Sequence, residues 1–65
     1  MTLYRVEFKG IVSYVRARTV AQAKYRVMRA ANAANWWSPG DSLVGLRAWA
    51  VLAAPEGEVV YAAEK

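Results

Sequence analysis

The chain has 65 residues, of which 57% are hydrophobic, and nine Lys and Arg against five Asp and Glu give it a formal net charge of +4. A chain of this length is near the lower limit for folding on one apolar core, so we predict a single domain over residues 1–65. The absence of Cys excludes disulfides, thiol nucleophiles and thiolate metal sites.

The sequence lacks the features of a targeted or membrane-spanning protein. Its N-terminus has no basic region followed by a sustained apolar run, as a secretory signal would. The longest uninterrupted apolar stretch, Ala48–Ala54, is far shorter than the roughly 20 residues needed to span a bilayer. We therefore expect a soluble, cytoplasmic protein.

Two segments near the start of the chain alternate between apolar and polar residues and predict strands, Leu3–Phe8 and Ile11–Arg18. The residues between them, Lys9 and Gly10, suit the loop of a tight hairpin. That loop fixes the register and places the apolar sets of both strands on one face. The predicted pairs are Phe8 with Ile11, Val6 with Ser13 and Tyr4 with Val15.

A helix is predicted from Val20 to about Ala34. Thr19, followed three residues later by Gln22, fits a capping box at its start, and Asn35 suits a left-handed cap at its end. Small residues dominate the stripe expected to face a sheet, which lets the helix approach the sheet closely. The stripe consists of Val20, Ala23, Val27, Ala30, Ala31 and Ala34.

The rest of the chain predicts a long strand over Ser42–Leu52 and a short strand over Glu58–Ala63, joined by a turn at Ala54–Gly57. In the long strand the fully apolar alternate set is assigned to the core. This set is Val44, Leu46, Ala48, Ala50 and Leu52. Pairing the two strands as a hairpin puts Leu52 opposite Val59 and Ala50 opposite Tyr61. The predicted fold is α+β, a two-layer ββαββ arrangement with a small antiparallel sheet and one helix packed on one face.

Catalysis is not expected. The chain has no His or Cys, and its carboxylates are scattered over strands, a loop and the C-terminus, so no local pair is available for acid–base chemistry. The carboxylates are Glu7, Asp41, Glu56, Glu58 and Glu64. The four glycines occur singly and form no phosphate-binding loop. We predict a protein that is not an enzyme and has no metal site, no cofactor and no small-molecule substrate.

The outer sheet face, opposite the helix, is predicted to combine aromatic rings with guanidinium groups. Its predicted members are Arg5, Glu7, Val12, Tyr14, Arg16, Arg18, Arg47 and Trp49. Such a surface is typical of single-stranded nucleic-acid binding, in which bases stack on rings and Arg neutralises phosphates. In the alternative interpretation, Tyr14 and Trp49 lie under a dimer partner or a loop, with Arg stems over them.

The basic residues in and before the predicted helix indicate a second basic surface. Arg26 and Arg29 share a face with Gln22, Lys24 is close by, and Arg18 precedes the helix. Such a ridge suits a phosphate backbone, although a run of this kind is also what a solvated helix face contains.

Two adjacent tryptophans, Trp36 and Trp37, precede a Pro-Gly turn. Consecutive side chains diverge, so one ring is buried more easily than both. By its position on the helical wheel, Trp37 continues the apolar stripe and is assigned to the core. Trp36 is then the candidate exposed anchor for a protein partner.

The strand Tyr4–Phe8 and the segment Val15–Arg26, which contains the run Ala-Arg-Thr-Val-Ala-Gln-Ala-Lys, resemble small phage-encoded proteins in which a hairpin leads into a helix of this kind. The resemblance covers about the first half of the chain. It implies a bacteriophage accessory protein that acts by stoichiometric binding in the cytoplasm of a bacterial host. It transfers no functional residue.

The leading hypothesis from the sequence is a small non-enzymatic protein that contacts nucleic acid. The predicted interface consists of Arg5, Tyr14, Arg16, Arg18, Arg26, Arg29, Arg47 and Trp49. The alternative is a protein-interaction module that uses Trp36 and exposed sheet edges, either to modulate a host protein or to form a homodimer. The positive charge favours nucleic acid or an acidic protein surface as the partner.

Overall fold

A computed structural model describes residues 1–63. Four strands and one long helix are present: β1 (Thr2–Phe8), β2 (Ile11–Ala17), α1 (Val20–Ala33), β3 (Arg47–Ala50) and β4 (Val60–Ala62), with a short 3₁₀ turn at Leu43–Gly45 before β3. The strands form one sheet, and α1 packs on one of its faces. The predicted α+β class is confirmed. Glu64, one of the scattered carboxylates, lies outside the described residues.

The first hairpin has the predicted register. Phe8 pairs with Ile11, Val6 with Ser13 and Tyr4 with Val15. Both loop residues have positive φ angles, 52° at Lys9 and 80° at Gly10, as a two-residue type I′ turn requires. A glycine at the second position adopts this conformation without the steric cost that a Cβ would bring.

The helix begins and ends as the sequence predicts. At its start, the Thr19 hydroxyl accepts a hydrogen bond from the Gln22 amide, and the Gln22 side chain accepts one from the Arg18 amide, one residue earlier than in the usual capping box. At its end, Asn35 has a φ of 65°. The Asn35 and Trp36 amides donate to carbonyls of the last turn, which is the Schellman arrangement.

The sheet order corrects the prediction for the second half of the chain. The order is β3-β1-β2-β4, in which β1 is antiparallel to β2 and to β3 while β4 is parallel to β2. The sheet is therefore mixed, not antiparallel, and the predicted hairpin of Leu52 with Val59 and Ala50 with Tyr61 is wrong. Once β3 occupies the free edge of β1, the other available edge belongs to β2, and residues 51–59 are long enough to reach it.

The third strand is shorter than predicted, because β3 spans Arg47–Ala50. The register puts Phe8, the last residue of β1, opposite Leu46, so the residues before Leu46 have no strand to pair with. Leu46 is buried and Ala48 packs against the core, as expected. The core assignment was wrong for the other three: Val44 is 90% exposed, Leu52 is fully exposed and Ala50 is exposed.

The core lies between α1 and the sheet face formed by the even positions of β1 and the odd positions of β2. Its buried members are Val6, Phe8, Val15, Ala17, Ala23, Val27, Ala31 and Leu46. Three positions of the predicted helix stripe are exposed instead: Val20, Ala30 and Ala34. Ala30 and Ala34 face a gap beside the sheet, described below, so their small side chains leave space rather than allowing close contact.

The outer sheet face is covered at its centre. Leu3 and Tyr14 point away from α1, yet each is only 5% exposed. The connection over residues 51–59 must cross from one edge of the sheet to the other, and α1 occupies the opposite face. The β2–β3 and β3–β4 connections each join parallel strands, and crossovers of this kind are nearly always right-handed. They cross the sheet in opposite directions, so the same handedness places them on opposite faces. We infer that this connection crosses the outer face before it reaches the β2 edge at residues 57–59, and that the crossing part buries Leu3 and Tyr14.

No helix within residues 1–63 has the length and apolar character needed to cross a membrane.

Candidate binding surfaces

Strand pairing aligns several predicted site residues in one row across the outer sheet face. Trp49 pairs with Arg5, Arg5 pairs with Tyr14, and Tyr14 pairs with Val60. Arg47 and Arg16 lie in the neighbouring rows, opposite Glu7 and Ala62 respectively. The sequence therefore assigned these side chains to the correct face of the sheet.

Contacts within the face reduce what two of these residues can offer to nucleic acid. The Arg5 guanidinium lies 5.6 Å from the centre of the Trp49 ring and 3.1 Å from a Glu7 carboxylate oxygen. Its charge is therefore balanced by Glu7. Tyr14 was expected to offer a stacking ring, but its 5% exposure leaves no face free for a base. Both residues have structural roles in the row.

Four of the residues predicted for the outer face are exposed, and three of them lie within its strands. They are Arg16, Arg47 and Trp49, the last with 42% of its surface accessible. Arg18 is also exposed, beyond the end of β2. Exposed guanidinium groups and a partly accessible indole remain at the margins of the face, around its covered centre.

The helix arginines belong to the other layer of the molecule, so the eight predicted residues do not form one surface. Arg26 donates a hydrogen bond from Nε to the Ala62 carbonyl and stacks over the Tyr61 ring at 5.2 Å. Arg29 is exposed and lies 6.0 Å from the centre of the Tyr25 ring. The helix packs against the sheet face opposite the Trp49 row, which separates the two groups.

A half-enclosed cavity that the sequence analysis missed lies between α1, β2 and residues 57–61. Its volume is about 470 Å³, within the usual range for ligand pockets. On the helix side the wall is made by Ala30, Ala31 and Ala34. The gap exists because these side chains are small and because β4 pairs with β2 only at residues 14–16. The small-residue stripe on α1 was the available sequence signal, but it was interpreted as a sign of close packing.

Four large exposed apolar side chains line this cavity. Ile11, Trp36, Val59 and Tyr61 all contribute to its lining, and each is at least 40% exposed. Phe8, Val15 and Val27 form its base. A solvent-exposed apolar concavity of this kind is typical of a binding site.

The helix wall of the cavity contains one basic side chain. Arg26 lines it, and its two terminal amino groups have no hydrogen-bond partner among residues 1–63. The helix also contains Lys24 and Arg29 and has no Asp or Glu. Glu58 is on the opposite side of the cavity. The helix side therefore presents positive charge next to apolar surface.

The two tryptophans divide as predicted in their exposure. Trp37 packs against the core, and its ring centre lies 5.1 Å from that of Phe8. Trp36 is 49% exposed and lines the cavity. The Trp36 carbonyl accepts a hydrogen bond from Lys9 Nζ at 3.2 Å, so the hairpin turn holds the backbone that carries the ring.

One carboxylate anchors this region. Asp41 Oδ2 lies 2.8 Å from Lys9 Nζ and accepts a hydrogen bond from the Ser38 amide, also at 2.8 Å. The hydrogen bond from Lys9, followed by that from Ser38, holds the pKa of Asp41 below its ordinary value, with burial acting weakly in the opposite direction. Within residues 1–63, no group of three or more acidic, His or Cys side chains is arranged to bind a metal ion.

Comparison with protein-family models, with curated proteins and with solved structures found no match. The geometry described above is therefore the basis for the functional proposal.

Proposed function

We propose that this protein is a non-enzymatic binding protein whose cavity between α1 and β2 receives an apolar segment of an acidic partner protein. The observation that supports this most directly is the clustering of Ile11, Trp36, Val59 and Tyr61 around one concave surface. Protein interfaces are centred on such apolar pockets, and Trp is among the residues that contribute most to binding energy.

Charge complementarity defines the partner. Arg26 lines the cavity on the helix side, and its terminal amino groups are available for a planar carboxylate. The rest of α1 adds Lys24 and Arg29 and no acidic residue. A partner segment with bulky apolar side chains towards the cavity and Asp or Glu towards α1 satisfies both features. The partner's carboxylates would increase the association rate and set the orientation, while the apolar contact would supply most of the affinity.

Stoichiometric binding is also the class of function that the sequence resemblance to small phage-encoded proteins implies. A phage accessory protein that binds stoichiometrically in the host cytoplasm needs a recognition surface and no catalytic centre. Under this proposal, the partner is a host protein.

A pair of synthetic peptides tests the proposal. The first is an amphipathic peptide with Leu and Phe on one face and Glu on the other, and the second has every Glu replaced by Lys. We expect saturable binding of the acidic peptide, followed by Trp fluorescence, and at least tenfold weaker binding of the basic peptide. Equal binding of both peptides, or no binding of either, would contradict the proposal.

Two substitutions locate the binding site. Ala30→Leu adds volume within the cavity from an exposed helix position, and Trp36→Ala removes an apolar wall. Each is expected to weaken binding of the acidic peptide at least fivefold. Trp49→Ala, on the opposite sheet face, is the matched control and should leave binding unchanged. Binding that is insensitive to both cavity substitutions would place the peptide elsewhere.

Nucleic-acid binding is the second candidate function, and the exposure of Arg16, Arg47 and Trp49 on one sheet face favours it. With so few cations, binding should be weak, on the order of 10⁻⁴ to 10⁻⁶ M, and should weaken steeply with salt. Titration of a labelled single strand and a labelled duplex at two salt concentrations tests it. Absence of binding at low salt, or binding unaffected by the double substitution Arg16→Ala with Arg47→Ala, would reject this candidate.

A further inference from the structure

We propose that the free edge of β3 pairs with β3 of a second copy of this chain in an antiparallel, two-fold symmetric manner centred on Trp49, which joins the two sheets into one. This inference concerns a different surface from the cavity and does not depend on the proposed function.

The hydrogen-bonding pattern of β3 identifies the free edge. β3 lies at the end of the sheet and pairs with β1. The Val51 amide donates to the Leu3 carbonyl, so residues 47, 49 and 51 direct their amides and carbonyls towards β1. Ala48 and Ala50 therefore direct theirs outward, and these groups have no hydrogen-bond partner among residues 1–63.

The edge lacks several of the features that usually prevent strand association. It contains no Pro, no Lys and no inward-pointing charge. The two most exposed large apolar side chains of the described region, Val44 and Leu52, flank the strand on either side. A free strand edge with apolar flanks is a template for strand pairing.

Self-complementarity identifies the occupant as a second copy. Centring the two-fold axis on Trp49 pairs Ala48 of one copy with Ala50 of the other, so both outward-facing residues of each chain are hydrogen-bonded. The two Trp49 rings then lie opposite each other at a closely spaced pair, where side-chain contact is greatest.

The charges are compatible with this register. Arg47 of one copy faces Val51 of the other, so the two Arg47 side chains are separated by the tryptophans and no like charges meet. On the sheet face that packs against α1, the paired residues are Ala48 and Ala50, whose small side chains do not collide. Leu52 of one copy is placed opposite Leu46 of the other, next to the edge of the core.

Pairing would cover the Trp49 ring, so it competes directly with base stacking on that residue. Strand association therefore predicts a covered Trp49 ring, whereas nucleic-acid binding on the outer face predicts an accessible one. Cavity binding is unaffected in either case, because the cavity lies at the β2–β4 side of the molecule.

Sedimentation and cysteine cross-linking test this inference on the full chain. We expect a concentration-dependent monomer–dimer equilibrium. The natural sequence has no Cys, so a single introduced Cys reports one position. Trp49→Cys should form a disulfide-linked dimer on mild oxidation, because the two positions face each other. Ala48→Cys alone should not form a disulfide. Residue 48 of one copy lies diagonally from residue 48 of the other, about 7–8 Å away, which is beyond the usual disulfide range.

A second pair of variants keeps Trp49 intact. Arg47→Cys and Val51→Cys should each remain uncross-linked when alone and should form a disulfide when mixed, because residue 47 faces residue 51 of the partner copy. Cross-linking of Arg47→Cys with itself would show a different register and overturn the inference. A monomer at all accessible concentrations, with no disulfide in the mixture, would also overturn it.

Ala50→Pro tests the role of the backbone edge. The substitution removes an amide that points away from β1 and leaves the hydrogen bonds to β1 intact. Edge positions of this kind are where a strand tolerates Pro. We expect a folded monomer by sedimentation and circular dichroism, whereas Ala50→Val, which keeps the amide, should still dimerise. A dimer that persists in the folded Ala50→Pro variant would show that β3 does not mediate association.

Discussion

The ammonium group of Lys9 lies 2.8 Å from the carboxylate of Asp41 and links the hairpin turn to the loop that follows the helix. The same ammonium donates to the Trp36 carbonyl and lies 5.2 Å from the centre of the Phe8 ring. Lys9 is thus the point at which the two-residue turn, the tryptophan pair and the Pro-Gly loop are joined.

Asp41→Asn should reduce the pH dependence of stability below about pH 4. The carboxylate is favoured in the folded state because Lys9 and the Ser38 amide donate to it, so its folded pKa lies below the ordinary 3.8. A lowered folded pKa gives stability that is present above the ordinary value and is lost as pH falls through the folded pKa. Thermal unfolding from pH 2 to pH 6 measures it. Parallel curves for the wild type and Asp41→Asn would contradict the assignment.

The two tryptophans should differ in their contribution to stability. Trp37 packs on Phe8 at the margin of the core, so Trp37→Ala should lower the free energy of unfolding by roughly 2–3 kcal/mol, less than a fully buried Trp. Trp36 is half exposed, and Trp36→Ala should change it by less than about 1 kcal/mol. Urea unfolding measures both. Equal losses would mean that Trp36 also supports the fold.

A matched pair of glycine substitutions tests the hairpin turn. Gly10 has a φ of +80° and no heavy atom within 4 Å of an added Cβ, so Gly10→Ala costs only backbone strain, about 1–2 kcal/mol. Gly40 has the same free space without a positive φ. Gly40→Ala should therefore be neutral or slightly stabilising, by less than about 1 kcal/mol. Denaturant midpoints measure the difference, and a loss of similar size at both positions would exclude strain at Gly10 as the cause.

The first half of the fold was predictable because its signals are local. The register of β1 with β2 follows from a two-residue loop, since any shift by one residue would put Arg16 on the core side. The helix bounds follow from the capping residues Thr19 and Asn35, whose side-chain and backbone preferences act within a few residues.

The second half was not predictable from local pattern, because it depends on competition between sheet edges. The segments that contain Ala50 and Tyr61 alternate as the two strands of a hairpin would, but β3 pairs with β1 and β4 pairs with β2. The same topology explains why the predicted nucleic-acid surface is only partly present. A hairpin would have left the outer face free, whereas Tyr14 is buried, which we attribute to the crossing connection. The cavity arises from the same cause, since a short parallel β4 leaves space beside Ala30 and Ala34.

Tyr14 and Tyr25 provide a test of the covered outer face with one residue type. Tyr14 is 5% exposed, so Tyr14→Ala should lower the free energy of unfolding by about 2–4 kcal/mol. Tyr25 is 50% exposed on α1, where its ring contacts Arg29, and Tyr25→Ala should cost less than about 1 kcal/mol. Chemical denaturation of the two variants at equal concentration makes the comparison. If Tyr14→Ala were as mild as Tyr25→Ala, the β3–β4 connection would not cover Tyr14, and its ring would again be available for stacking on the outer face.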